Sequence, residues 1–353
     1  MVAKKIRFEQ HFQQCSFHNP MLGGELDIQE LEIRKDPLSG RQSVYNTGLK
    51  DKVKILFPPP DPALIERLAR ETEPGCFLCQ DRWKQTTPTY PNELVPGGRM
   101  ELGEAVLFPN LFPLSQVHAV IRVGLQHYLP LEAFSRQPIE QAFHVFRDFV
   151  GHLVDADPGL QFVTLNGNYL APGGASIMHP HFQVLGSDVP FSHLEELLTL
   201  STRYYEEHGT CYWTDLAEME EIAGLRTIAR TGAVTWIASY APRGSNEILG
   251  ILPEGRNLLE LGEQDLSELA EGFTAVLRGY GTMGFSSFNF TLYSGPLSSR
   301  DDSFRCFLRI ISRQNLHENY RADDYFLQKL LGTEIILTPP ESLAVTLRGY
   351  FGG

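Results

Sequence analysis

Across 353 residues the chain has no apolar run near the roughly 20 residues that a membrane-spanning helix needs, so a helical membrane protein is excluded. It is also short of positive charge, with 30 Lys and Arg against 43 Asp and Glu and a formal charge of −13. A nucleic-acid partner is therefore not expected, because such proteins normally display a basic face. A small anionic substrate is still admissible, since a local pocket of amides and a few cations can hold one. Cysteine is scarce: Cys15, Cys76, Cys79, Cys211 and Cys306 make an odd count, which argues against a disulfide framework. No Walker loop occurs, and the alternating βα order of a dinucleotide-binding fold is absent. Residues 1–9 contain Lys4, Lys5 and Arg7 but lack the apolar core of a secretory signal, so a cytoplasmic protein is expected.

What is present is ordinary in bulk and unusual in one place. Apolar content of 42% and charged content of 21% are those of a globular protein with one large or two medium domains. The unusual place is Gly173-Gly174-Ala175-Ser176-Ile177-Met178-His179-Pro180-His181-Phe182-Gln183. Pro180 holds His179 extended and forbids helix there. Residues i, i+2 and i+4 of an extended segment share a face, so His179, His181 and Gln183 line one side of a strand. The glycine turn just before them offers amides to a phosphate. This combination suits a histidine nucleophile attacking phosphorus.

Periodicity gives the frame around that motif. Strands are predicted at Ala105–Phe108, Val117–Val123, Gln161–Leu165 and His181–Leu185. Ile139, Ala142, Phe143, Phe146, Phe149, Val150 and Leu153 mark a helix that Asp157-Pro158-Gly159 stops. Ser192 with Glu195 spells a capping box opening the next helix. The order then recurs, with strands at Ala233–Tyr240, Glu247–Ile251, Phe288–Tyr293 and Phe304–Ile311. A helix carrying Leu266, Leu269, Ala270, Phe273 and Leu277 lies among them, and a short one follows near Asp324–Leu331. The first hundred residues read as irregular, punctuated by Pro58-Pro59-Pro60 and Pro74-Gly75. Strand-strand-helix-strand-strand twice implies an α+β protein of duplicated halves, residues 1–210 and 211–353, with largely antiparallel sheet and helices on the faces. The place of His179-Pro180-His181 in the second half falls near Phe304-Arg305-Cys306-Phe307, which has lost the chemistry.

Several separated segments together resemble the galactose-1-phosphate uridylyltransferase family of the histidine-triad superfamily. They are Asp36-Pro37-Leu38-Ser39-Gly40-Arg41, Cys76-x-x-Cys79, Asn110-Leu111-Phe112-Pro113, Val120–His127 and the Asn168–Gln183 stretch. The resemblance implies a ping-pong nucleotidyltransferase in which His181 takes the nucleotide from a nucleoside diphosphate sugar and passes it to a hexose 1-phosphate. Gln183 would stabilise the growing phosphoryl charge. Ser176 and the amides around Gly173 and Gly174 would hold the β-phosphate, and Asn168, with Asn166 as its rival, would touch the α-phosphate or ribose. Asn110 and Phe112 would bracket base and ribose. Cys76, Cys79, His127 and His179 have the composition of one structural, tetrahedral zinc site; His118 is an alternative to His127, although its place inside a strand favours packing. The resemblance also implies a homodimer.

Departures from the family pattern widen the reading. Leu49 and Lys52 stand where phosphate-facing arginines are expected, and lysine does not replace arginine's fork. Gln328 stands where an acidic sugar contact is usual, with Asp323 and Asp324 nearby. His317 is the only histidine after position 208, so no second metal is expected. A phosphorylase that uses inorganic phosphate on an ADP-sugar or dinucleoside polyphosphate is the alternative, and a non-catalytic nucleotide-binding protein is a third. Gln183 cannot shuttle protons as a third histidine would, which favours transfer over hydrolysis.

Overall fold

The structure is a computed structural model, which describes residues 5–49, 58–319 and 322–352. The chain opens with a long hairpin, β1 (Glu9–Asn19) and β2 (Glu25–Lys35), followed by β3 (Gln42–Asn46). Helix α1 (Pro62–Thr72) and the short α2 (Trp83–Thr86) bracket the Cys76–Cys79 segment. The first half continues through β4 (Met100–Leu102), β5 (Ala105–Pro109), β6 (Val117–Arg122), α3 (Arg136–Ala156), β7 (Phe162–Tyr169) and β8 (His181–Ser187). Helices α4 (Ser192–His208) and α5 (Tyr212–Ala223) lead into the second half. There follow β9 (Thr227–Thr231), β10 (Val234–Ala238), β11 (Ile248–Ile251), α6 (Glu263–Thr282), β12 (Phe288–Tyr293) and β13 (Phe307–Ser312). The chain closes with α7 (Phe326–Lys329), β14 (Thr333–Ile336) and α8 (Pro340–Arg348).

One ten-stranded sheet, in the order β4-β5-β6-β8-β7-β12-β13-β11-β10-β9, contains both halves, and every strand pair in it is antiparallel. The order is palindromic about the β7–β12 seam, as a duplicated α+β fold requires. Strand alternation sends Ala119, Ile121, Val163, Leu165, Phe182 and Val184 into a core shared with Phe288, Phe290, Leu308 and Ile310. Helices α3 and α6 cover that face, and Phe273 packs edge-on against Phe143 and Phe290 at centroid distances of 6.0 and 4.9 Å. The opposite face is covered unevenly. Over the second half, α4 and α5 bury Ile237, Leu249, Ile251 and Phe307 beneath Leu194, Leu197 and Trp213. Over β5 and β6, the Cys76–Cys79 segment buries Val106, Phe108 and Val120. The polar residues of β8, β7 and β12 lie between these two covers.

The registers also identify what the second half has in place of the motif. His118 lies opposite Leu185, two residues beyond Gln183. Ile248 pairs Ile310, which puts Glu247 level with Ile311, two residues beyond Arg309. Arg309 thus takes the station of Gln183 and Phe307 that of His181.

Three expectations change. The first hundred residues are not irregular: β1, β2 and β3 form a separate sheet with β14, which pairs parallel to β3. Most of β1 is exposed, so no half-buried alternation marked it as a strand. Helix α5 was missed, although its buried Trp213 and Leu216 anchor the second-half cover. Helix α4 starts at Ser192, with Phe191 as N-cap and no side-chain cap bond, so the Ser192–Glu195 box does not form. Among the described residues no helix is long and apolar enough to cross a membrane.

Candidate active site

Cys76, Cys79, His127 and His179 are all buried, and their ligand atoms lie within 4.8 Å of one another. Both histidines turn Nδ1 toward the Cys79 sulfur at 3.3 Å. Their other nitrogens are engaged elsewhere. His179 Nε2 donates to the Gly124 carbonyl at 3.2 Å. Thr72 Oγ1 spends its proton on Leu68 O at 2.6 Å and accepts from His127 Nε2 at 2.9 Å. Both rings are thereby held in the tautomer that leaves Nδ1 as a free donor to a cation. Burial holds His179 down at about 4 and also lowers His127, so both rings are neutral near pH 7. Burial and the adjoining Cys76 push the Cys79 thiol up to about 12, so a thiolate here requires a cation beside it. Two thiolates and two imidazoles within such a span fit a tetrahedral ion, whose ligand atoms sit roughly 3.5 Å apart. His118 lies outside this cluster.

Pro180 carries the chain from this cluster straight into β8. His181 is 7% exposed, and its Nδ1–H donates to the His179 carbonyl at 2.9 Å. Burial lowers its pKa, with that carbonyl bond opposing. The ring is neutral, and its lone pair is on Nε2. Gln183 lies two residues on, on the same outer face of β8. Arg122, opposite His181 in β6, reaches back to the carbonyls of Leu78 and Gln80 at 3.5 and 3.2 Å. It therefore ties the cysteine loop to the sheet beside the motif.

In the glycine turn, the N–H groups of Gly173, Gly174 and Ala175 donate to Leu170 O, Ala171 O and Leu170 O. This corrects the expectation that the Gly173 and Gly174 amides face a phosphate, because the turn itself uses them. The amides of residues 176–178 have no partner among the described residues, and Ser176 is exposed. Gly174 is required for its φ of +89°. Gly173 is required because a Cβ there would meet Phe288 O at 2.9 Å.

The structure separates Asn168 from its rival. Asn166 is engaged on both sides, accepting from Thr291 Oγ1 and donating to Thr164 Oγ1, each at 2.9 Å. Asn168 accepts from Asn289 Nδ2 at 2.7 Å, which turns its own amide nitrogen toward Gly174, 3.9 Å from where a Cβ would stand.

The loop before β6 presents the second expected feature. Asn110 Oδ1 accepts from Phe112 N at 2.9 Å, and Phe112 is 76% exposed. Gln328 is not free: its amide donates to Glu334 Oε1 at 2.9 Å and to Asp323 O at 3.2 Å. Lys52 lies outside the described residues. Thr72 and Asn289 went unnoticed in the sequence, being isolated polar residues far from the motif in the chain. The sequence offers His118 as a metal ligand or, from its place inside a strand, as a packing residue. Its parity in β6 matches Val120 and Arg122 on the outer face, and that is the one signal placing it near Gln183.

The duplicated antiparallel sheet is the fold of solved phosphorylase and uridylyltransferase structures that share little sequence with this chain. The ADP-glucose phosphorylase of Arabidopsis thaliana, solved with bound ADP-glucose, superposes with a TM-score of 0.69 at 16% identity, over 90% of this chain and 98% of that one. A uridylyltransferase superposes at 0.64 with 16% identity, over 90% and 98%. No protein-family model matches the chain. The chain belongs to one family with an uncharacterized protein of Archaeoglobus fulgidus, 31% identical over 328 residues that cover 93% of this chain and 94% of that protein.

Proposed function

We propose that the protein is a nucleotidyltransferase that takes the nucleotide of a nucleoside diphosphate sugar onto His181 and delivers it to a phosphate-bearing acceptor. The observation that carries this reading is the His181 Nδ1–H donated to the His179 carbonyl. It leaves Nε2 unprotonated on the face shared with Gln183 and Asn168. Nε2 attacks the α-phosphorus and forms a P–N bond, and the bond from that phosphorus to the bridging oxygen breaks. The sugar 1-phosphate departs as a phosphate anion, so no general acid is needed. The imidazolium charge that develops is eased by the carbonyl on Nδ1. An acceptor phosphate oxygen then attacks the same phosphorus and His181 leaves neutral. A glutamine at position 183 suits this chemistry, since the leaving group and the acceptor are both phosphates. Gln183 and Asn168 offer amide hydrogens to the nonbridging oxygens, residues 176–178 hold the β-phosphate, and Phe112 gives the base a stacking face. Zinc, held by Cys76, Cys79, His127 and His179, keeps His179 and therefore its carbonyl in place.

The acceptor on this reading is a hexose 1-phosphate. Inorganic phosphate is the second reading, favoured by the internal engagement of Gln328, which leaves that expected sugar contact already bonded. A homodimer accords with the exposed Phe12, Phe17, Leu26 and Ile28 of the β1–β2 hairpin, and sedimentation checks it.

The test is incubation without acceptor with ADP-glucose or UDP-glucose labelled at the α-phosphorus. Label that is acid-labile, base-stable and absent from His181→Ala is expected. Chasing with glucose 1-phosphate or inorganic phosphate then identifies the acceptor. Normal turnover by His181→Ala would overturn the nucleophile assignment.

A further inference from the structure

His118 is buried in β6 and belongs neither to the metal cluster nor to the apolar core. Its ring is held at both nitrogens. The backbone N–H of Leu114 donates to Nδ1 at 3.1 Å. In a neutral ring the proton must then sit on Nε2, which lies 2.8 Å from Gln183 Oε1. The Nε2–H therefore donates to the Gln183 oxygen. The Asn110 side-chain nitrogen, 3.1 Å from the same Nε2, is left as a contact between two donors. Asn110 cannot reverse without loss, because its oxygen already accepts from Phe112 N.

The consequence falls on Gln183. A free carboxamide presents either its oxygen or its NH2 to a phosphate, and only the NH2 stabilises developing negative charge. With Oε1 anchored by an N–H donor, the reversed rotamer would set NH2 against N–H. The productive orientation is the one left.

We propose that His118 is a positioning residue that orients the Gln183 carboxamide and locks the Asn110–Leu114 loop to the catalytic strand. It touches no reacting atom itself. Leu114 N–H, His118 and Gln183 form one relay from the nucleotide-base loop to the phosphoryl site, so loop order and amide orientation are set together. In the second half, where no transfer chemistry is retained, the equivalent stations hold Glu247 and Arg309, an ion pair at 3.6 Å. No histidine–carboxamide contact stands at those second-half stations. The inference rests on the covalent reading above.

The experiment measures single-turnover uptake of label from α-labelled ADP-glucose and UDP-glucose by four variants. Gln183→Ala is expected to slow uptake by ~10²–10³. His118→Phe, which keeps volume and loses both bonds, should cost ~10², because a misaimed group is nearly as poor as a missing one. The double variant should be no slower than Gln183→Ala alone, since a relay acts only through its end member. His118→Gln, which supplies an acceptor and a donor, should recover most of the rate. Wild-type uptake by His118→Phe, or losses that multiply in the double variant, would overturn the proposal. A second readout needs no turnover: nitrogen NMR of the wild-type His118 ring should show a bare Nδ1 and a protonated Nε2. The reverse tautomer sinks the relay even if label uptake behaves. If wild type takes label from neither sugar nucleotide, the covalent reading fails and the tautomer alone decides the orientation.

Discussion

Asn289 donates through Nδ2 to Asn168 Oδ1 at 2.7 Å, so a strand of the second half aims an amide of the first. The same nitrogen donates to Gly173 O at 2.6 Å, and Arg313, itself paired with Asp323 at 2.6 Å, donates to the Asn289 oxygen. Asn289 therefore cannot reverse. The second half thus contributes a side chain across the seam.

Asn289→Ala should expose that role. Asn168 becomes free to turn its oxygen toward the phosphates, and Gly173 O loses a donor. Label uptake should slow by ~10-fold or more, with a stability loss of about 1–2 kcal/mol from the broken bonds. Uptake kinetics and thermal melting check the two effects separately. An unchanged uptake rate with a lowered melting temperature would confine Asn289 to a structural part.

The metal cluster makes a prediction through Thr72. Elemental analysis should find about one zinc per chain. Thr72→Val keeps shape but removes the acceptor of the His127 Nε2–H, which should weaken zinc retention by ~10–100-fold in a chelator competition. Cys76→Ser should cost folding yield outright. Full retention of zinc by Thr72→Val would show that the His127 ring is held by packing alone.

A buried carboxylate gives the pH dependence. Burial pushes Glu334 up to about 7, opposed by bonds from Ile335 N and Gln328, with Asp323 and Glu247 adding to the rise. The folded protein then holds this proton more tightly than the unfolded chain does. The contribution is fully present below the ordinary carboxylate pKa and is lost as pH rises through about 7. Glu334→Gln keeps an oxygen for both donors and removes the charge. It should be nearly neutral at pH 5 and stabilise by roughly 2–3 kcal/mol at pH 8. His193, lowered to about 3 by burial and by Arg309 and Arg243, acts oppositely in acid and is common to both proteins in the comparison. Parallel melting curves for wild type and Glu334→Gln across that range would refute the assignment.

Local sequence was enough for the parts whose signal is local. The apolar periodicity of α3 and α6, the alternation of β6 and β8, and the Pro180 constraint on His179 and His181 act within one element. They gave the α+β order, the repeat and the face of His181 directly. The Cys76 and Cys79 donors were legible from their spacing, whereas His127 came from the resemblance and kept His118 as its rival. The β1–β2 hairpin was hidden because most of it is exposed, which removes the burial pattern that reveals a strand.

Tertiary structure decided what depends on atoms meeting across the sheet. It separated His127 from His118, engaged Asn166 at both its oxygen and its nitrogen, held Asn168 by its oxygen, and consumed the Gly173 and Gly174 amides in their own turn. It also gave Thr72, Asn289 and His118 their partners, at sequence separations of 55, 121 and 65 residues. A hydrogen bond is specified by position and direction to within a few tenths of an ångström. Residue type announces that a donor exists, and only strand register and packing decide which acceptor it finds.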